Sequence, residues 1–216
     1  MEKLVRGIIE FRANIRPGYR EKFAQLALGQ SPDALFIACC DSRVVPNLFA
    51  STDPGDLFVI RNVGNLIPAC GRGGHSSADE SEAAAIEFAL MKLNVDDIVV
   101  CGHSECGAMQ ALLAGRDTVT APNLRSWLRH GDDAMARLAT SAEPKDANVL
   151  SRLNVLQQVE HLKTYPVVWE RFRAGKLRLH AWFFELKSAD VHAYDEEAGK
   201  FVLLDEKQLA KMASKA

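Results

Sequence analysis

Two short stretches of this sequence hold side chains able to do chemistry together. The first is Cys39-Cys40-Asp41-Ser42-Arg43, and the second is Gly102-His103-Ser104-Glu105-Cys106-Gly107. A thiolate, an imidazole and a second thiolate are a donor set that zinc prefers, and a shell of two Cys and one His leaves a fourth tetrahedral position open. That is the pattern of a catalytic rather than a closed structural site. His103 and Cys106 stand three residues apart, so a helix starting at this turn lets them converge, and its positive end favours the Cys106 thiolate. Asp41 and Arg43 add a carboxylate with a guanidinium behind it, which orients a hydrogen-bond acceptor and keeps it ionised. A competing role for Asp41 or Ser42 is plain N-capping of a helix-compatible segment near residues 46–50. A lone His-x-x-Cys is more often a buried thiol beside a satisfied histidine, so each stretch needs the other.

The elements around these stretches predict an α/β fold in which both lie at strand ends. Ala34 to Cys40, Leu57 to Ile60 and Ile98 to Cys101 are unbroken apolar runs of the kind buried on both faces of a parallel sheet. Between the second and third, Ser77 and Glu80 form a possible capping box, and Ile86, Ala89, Leu90 and Leu93 share a helix face, so strand, helix and strand make a parallel crossover. In open parallel sheets, ligands bind where the carboxyl ends of the strands open into a crevice. Strand alternation puts Cys39 and Cys40 on opposite faces without saying which one meets the ligand.

Leu4, Ile8, Phe11 and Ile15, then Tyr19, Phe23 and Leu26, predict two opening amphipathic helices separated near Pro17-Gly18. Further helices are expected over Glu105 to Ala114, over Asn148 to Thr164 with a stripe of Val149, Leu153 and Leu156, and over Pro166 to Arg173. An alternating strand from Leu177 to Phe183 precedes a late hairpin of Val191 to Tyr194 and Phe201 to Leu204. Gly71-Arg72-Gly73-Gly74 lacks the lysine and hydroxyl of a phosphate loop and reads as a flexible loop. The expectation is one domain over residues 1–216: a helical arm (1–30) and an α/β zinc core (31–216), with a central, mostly parallel sheet and an antiparallel edge.

With 216 residues, 48% of them apolar, and a net charge of −2, the chain has material for one good core and no broad basic field to hold nucleic acid. No apolar run approaches membrane-spanning length and nothing reads as a signal peptide, so no membrane partner is expected. Five cysteines, at 39, 40, 70, 101 and 106, are an odd set without the density of a disulfide scaffold. A cytoplasmic location fits them best.

Cys-x-Asp-Ser-Arg followed some sixty residues later by Gly-His-x-x-Cys-Gly resembles the β-carbonic anhydrases. The likeness extends through Gly29-Gln30-Ser31-Pro32, Phe58 to Asn65, Ala85-Ile86-Glu87-Phe88 and Asn154-Val155, covering the chain to about Leu186. It implies one zinc ion per chain, held by Cys39 rather than Cys40, with His103 and Cys106, and reversible hydration of carbon dioxide to bicarbonate. It gives Asp41 two roles, either accepting a hydrogen bond while paired with Arg43 or becoming a fourth metal ligand. It makes Gln30 a donor to a substrate oxygen and Phe58, Val63 and Phe88 an apolar wall. It implies a homodimer or homotetramer whose partner lines each pocket. Relatives of the fold that hydrolyse carbonyl sulfide or carbon disulfide share these ligands, and a non-catalytic zinc-binding protein is a further alternative. Cys70, Cys101 and the histidines at 75, 130, 161, 180 and 192 match no ligand position. Some bacterial members bind inhibitory bicarbonate away from the metal through a Trp, an Arg and a Tyr; the matching positions are read as Phe36, Arg61 and Phe88, which removes two donors and predicts no such regulation.

Overall fold

A computed structural model describes residues 1–78 and 80–213. The elements are α1 (Glu2–Glu10), α2 (Arg16–Leu26), β1 (Ala34–Cys39), α3 (Pro46–Phe49), β2 (Leu57–Asn62), α4 (Ser81–Met91), β3 (Asp97–His103), α5 (Gly107–Leu113), α6 (Pro122–Trp127), α7 (Asp132–Thr140), α8 (Ala147–Lys163), α9 (Pro166–Arg173), β4 (Arg178–Glu185), β5 (Asp190–Asp195), β6 (Lys200–Leu203) and α10 (Glu206–Ala213). The sheet runs β2-β1-β3-β4-β5-β6. Its first four strands are parallel and the last two antiparallel, matching the expected architecture.

The chain steps from β1 to β2 on one side and then back across to β3 on the other. β1 is therefore the point where the winding reverses, and the crevice at its carboxyl end is a natural ligand site. Cys39 ends β1 and His103 ends its neighbour β3.

Alternation sorts β1 between two cores. Leu35 and Ile37 pack with Ile86, Leu90, Val155 and Leu162 from α4 and α8. Phe36 and Ala38 pack on the other face with Val99, Cys101, Phe184 and the Phe49 ring of α3. By the same parity Cys39 turns to the helical face, where it meets Leu66, Cys106, Met109 and Leu128, and Cys40 is exposed.

Local differences from the sequence reading have physical causes. The opening helices do not separate at Pro17-Gly18: the chain widens into a π-type turn over Phe11–Ile15, and Pro17 sits in the first turn of α2. A proline ring clashes with the carbonyl four residues earlier, so the turn before it loosens while its missing N–H costs nothing at a helix start. The capping box at Ser77 does not form, because the Ser77 N–H donates to the Ala69 carbonyl and Ser76 bridges Cys70, holding the helix start back to Ser81. The glycine stretch is a bridged turn rather than a loose loop, with Gly73 and Gly74 at φ +84° and +85°. Neither Asp41 nor Ser42 caps α3, whose N-cap is Val45. Helices α6, α7 and α10 are additional to the expected ones; Pro122 opens α6, and Asp205 caps α10 by accepting from the Lys207 and Gln208 N–H groups.

The buried face of α8 also differs. It is Leu150, Ser151, Asn154, Val155, Gln158, His161 and Leu162, whereas Val149, Leu153 and Leu156 are half-buried. This face lies directly on β3, because Gly102 presents no side chain: a Cβ there would stand 2.6 Å from Val155 Cγ2 and 2.9 Å from Ser151 Oγ. Gly102→Ala is predicted to destabilise the fold by about 1–3 kcal/mol through overpacking, measured as a lower denaturant midpoint with an unchanged m-value.

Candidate metal centre

Two strand ends and the start of α5 build the site. Cys39 leaves β1, His103 leaves β3, and Cys106 is the N-cap of α5. One donor atom from each lies within 4.8 Å of the other two. Exposure is 5% for Cys39 and 0% for both His103 and Cys106. α5 starts two residues later than its apolar pattern suggests, since Glu105 adopts φ +56°. That left-handed residue swings Cys106 back toward His103.

The imidazole is oriented for ligation. His103 Nδ1 donates to the Ser104 carbonyl at 2.8 Å, which leaves the lone pair on Nε2. Nε2 is buried and has no hydrogen-bond partner among the described residues, a costly state for a polar atom unless something else fills the role. Two sulfurs and this orphaned nitrogen fit a zinc ion.

The two buried thiols are pushed in opposite directions by their contact. A hydrogen bond from Cys106 is the largest influence drawing the Cys39 thiol down, and His103 and the Gly64 N–H add to it. The same bond, with burial and the charge on Cys39, pushes Cys106 up. A divalent cation removes this conflict by letting both ionise.

Asp41 sits at the rim. Arg43 Nε donates to Asp41 Oδ1 at 2.9 Å, its Nη2 donates to Oδ2 at 2.7 Å, and its backbone N–H reaches Oδ1 at 3.0 Å. These bonds, the Arg43 side chain foremost, hold the carboxyl well below its ordinary range. Arg43 Nη2 also donates to the Glu105 carbonyl at 3.0 Å, tying the two stretches together. Asp41 Oδ2 is 4.0 Å from His103 Nε2, beside the three-donor cluster and paired with Arg43.

The sequence model of the carbonic anhydrase family matches residues 34–191, most of the chain and both stretches. This chain belongs to the β-carbonic anhydrases. It is 44% identical over 197 residues to a carbonic anhydrase of Synechococcus elongatus, covering 88% of this chain and 70% of the relative. The solved β-carbonic anhydrase CcaA superposes with TM-score 0.88 at 39% identity, covering 94% of this chain and 98% of the other. A tetrameric β-carbonic anhydrase from Sordaria macrospora gives TM-score 0.73 at 27% identity, over 89% and 95% of the two chains.

Of the remaining site candidates, Val63 adjoins the donors through Gly64, whose N–H reaches Cys39 Sγ at 3.3 Å, and the others lie apart within one chain. Phe58 and Phe88 stack with centroids 5.7 Å apart, at the free edge formed by β2, and Phe88 is 45% exposed. Val63 lies in the turn after β2. Gln30 lines a cavity of about 430 Å³ with Phe23, Leu26 and Gly55, and no residue of the three-donor cluster borders it. Phe36 packs against Phe49 and Trp182 on the other sheet face, so Phe36, Arg61 and Phe88 do not form one site. Arg61 instead donates to the carbonyls of Cys39 (3.1 Å) and Asp41 (2.6 Å), bracing the first stretch from β2.

Of the other candidates, Cys101 is fully buried and pushed up to about 12 by that burial. His161 bonds the Ile67 carbonyl and His180 pairs with Asp97. No second group of metal-capable side chains forms among the described residues. Sequence reasoning missed the supports Asn148, Ser151, Gln158 and Trp127. For the three in α8 the signal was polar residues recurring at helix spacing, a pattern that ordinarily marks a solvated face; Trp127, at the end of α6, carried none.

Proposed function

We propose that the chain hydrates carbon dioxide reversibly to bicarbonate and a proton, using one zinc ion held by Cys39, His103 and Cys106. The observation that carries this reading is the convergence of three buried donors, one an orphaned nitrogen, beside a carboxylate locked by an arginine. Zinc bound there would supply the Lewis acidity that lets water act as a nucleophile near neutral pH.

The chain's own groups do the rest. Ionised Asp41 accepts a hydrogen bond from the attacking water and points its lone pair at the carbon. Arg43 is the positioning group, because its fork fixes both carboxylate oxygens at once. Asp41 acts in this paired form, as an acceptor rather than a fourth ligand. Val63, Phe58 and Phe88 form the apolar wall for a nonpolar gas, and Gln30 donates to a substrate oxygen. Because Gln30 and the three donors lie apart in one chain, this assignment needs a second copy.

Two features support such a copy. In the helical arm, Leu4, Ile8 and Ile9 of α1 are each at least 60% exposed, an apolar stripe no isolated helix in water would keep uncovered. Among the described residues strand β2 has an unpaired edge, bordered by Phe58 and Phe88. A homodimer or homotetramer covers both. No helix among the described residues is long and apolar enough to cross a membrane, and five free cysteines suit a reducing cytoplasm.

Stopped-flow hydration tests the activity. Zinc-loaded protein is predicted to turn over carbon dioxide faster than carbonyl sulfide or carbon disulfide. Activity should rise on the alkaline side of neutrality, because two thiolates donate more charge than imidazoles and acidify water less. Asp41→Asn should keep its zinc and lose at least about a hundredfold in kcat. Zinc-loaded protein inactive on carbon dioxide, or a flat profile from about pH 6 to 9, overturns the reading; preference for a sulfur gas replaces the substrate. Sedimentation should show a dimer or larger at micromolar concentration, and Ile8→Glu should weaken it. A stable monomer refutes the assembly.

A further inference from the structure

Helix α8 carries a buried polar seam. Asn148, Ser151, Asn154, Gln158 and His161 succeed one another at steps of three, three, four and three, so they share one face. Ser151, Asn154 and Gln158 are at most 1% exposed. The seam bonds to the backbone of the two segments flanking the three donors. Asn148 Oδ1 accepts from the Glu105 N–H, and Ser151 Oγ donates to the His103 carbonyl at 3.0 Å. Gln158 Oε1 accepts from the Ile67 N–H at 2.7 Å. Apolar residues would fill this space at less desolvation cost, so the polarity calls for a function beyond packing.

The bonds run in a fixed direction. A backbone N–H only donates, so the Ile67 N–H settles which end of the Gln158 amide it meets. Gln158 Nε2 must then donate to Asn154 Oδ1 (2.9 Å), and Asn154 Nδ2 to the Gly64 carbonyl (3.1 Å). On the other side of Gly64, Trp127 Nε1 donates to the Val63 carbonyl at 2.8 Å. The peptide plane of that carbonyl carries the Gly64 N–H, which donates to Cys39 Sγ at 3.3 Å. In a trans peptide the two groups point oppositely, so this plane is clamped between an indole N–H and a sulfur. Gly64 sits at φ +81°, and a Cβ there would lie 2.9 Å from Ala108 Cβ; only glycine brings the N–H this close.

We propose that Trp127 and Asn154 are positioning residues that aim the Gly64 N–H at the Cys39 sulfur and so limit how strongly that sulfur donates to the metal. The inference rests on the metal reading above. A hydrogen bond to a ligating thiolate withdraws charge from it and leaves the metal more electrophilic, and a donor whose own carbonyl is already bonded is a stronger donor.

The test uses the full-length chain loaded with cobalt(II), and separately with NMR-active cadmium. In the cadmium form the Gly64 amide proton is expected to show scalar coupling to the metal through Cys39 Sγ. Trp127→Phe keeps an aromatic ring and removes the N–H along with the smaller ring of the indole. In this variant and in Asn154→Ala the sulfur-to-cobalt charge-transfer band should move to longer wavelength, and the coupling should shrink or vanish. A merely structural role would lower Tm and leave the band in place. A wild-type chain that binds the metal through both sulfurs without Gly64 coupling, or variants whose band does not move, overturns this inference alone. A chain that takes up neither metal overturns the metal reading with it.

Discussion

Three donors held within 4.8 Å of one another, almost wholly shielded from water, are the constraint on which this structure turns. Buried thiols resist ionisation, and two adjacent ones resist it together. A cation that joins the pair lifts this conflict and gives the unpartnered His103 Nε2 something to bind. A protein that builds such a cluster commits folding energy to a place that a divalent metal completes. Everything nearby acts to keep the three groups from relaxing apart.

The fold supplies that restraint at three levels. Parallel pairing of β1 with β3 sets Cys39 and His103 at neighbouring strand ends, where the winding reversal opens a crevice. The left-handed turn at Glu105 brings Cys106 back, and Arg43 fastens that turn to the Asp41 loop. Behind both, α8 presses onto Gly102 and bonds its polar seam to the backbone of each side. The carboxylate at the rim stays partly exposed, while Arg43 holds it ionised and fixed in direction.

Strands and ligand stretches were legible in the sequence because their signals are local. Ala34 to Cys39 is an unbroken apolar run, and the types of Cys39, His103 and Cys106 announce a zinc-like donor set. The choice between Cys39 and Cys40 was not readable from alternation, since Leu35 and Phe36 are equally apolar and both faces of β1 are buried. The family resemblance implies Cys39, and packing buries Cys39 while leaving Cys40 exposed. The α8 seam was misread for a related reason: periodicity counts apolar residues, so Ser151, Asn154 and Gln158 resemble a solvated face until their backbone partners, distant in sequence, are seen. Ser77 failed as a cap because its N–H is engaged by Ala69, a contact no helix rule anticipates. Gln30 and the apolar residues at the β2 edge lie apart from the donors in one chain, and sequence spacing carries no information about a second copy.

The central claim is that these three side chains form a ready zinc site. Its most direct measurement is the zinc content of the purified chain together with zinc-edge X-ray absorption. One zinc per chain is expected, with two sulfur neighbours at about 2.3 Å and the remaining ligands, nitrogen or oxygen, at about 2.0–2.2 Å. Protein that binds no zinc, or zinc with no sulfur in its shell, would contradict it.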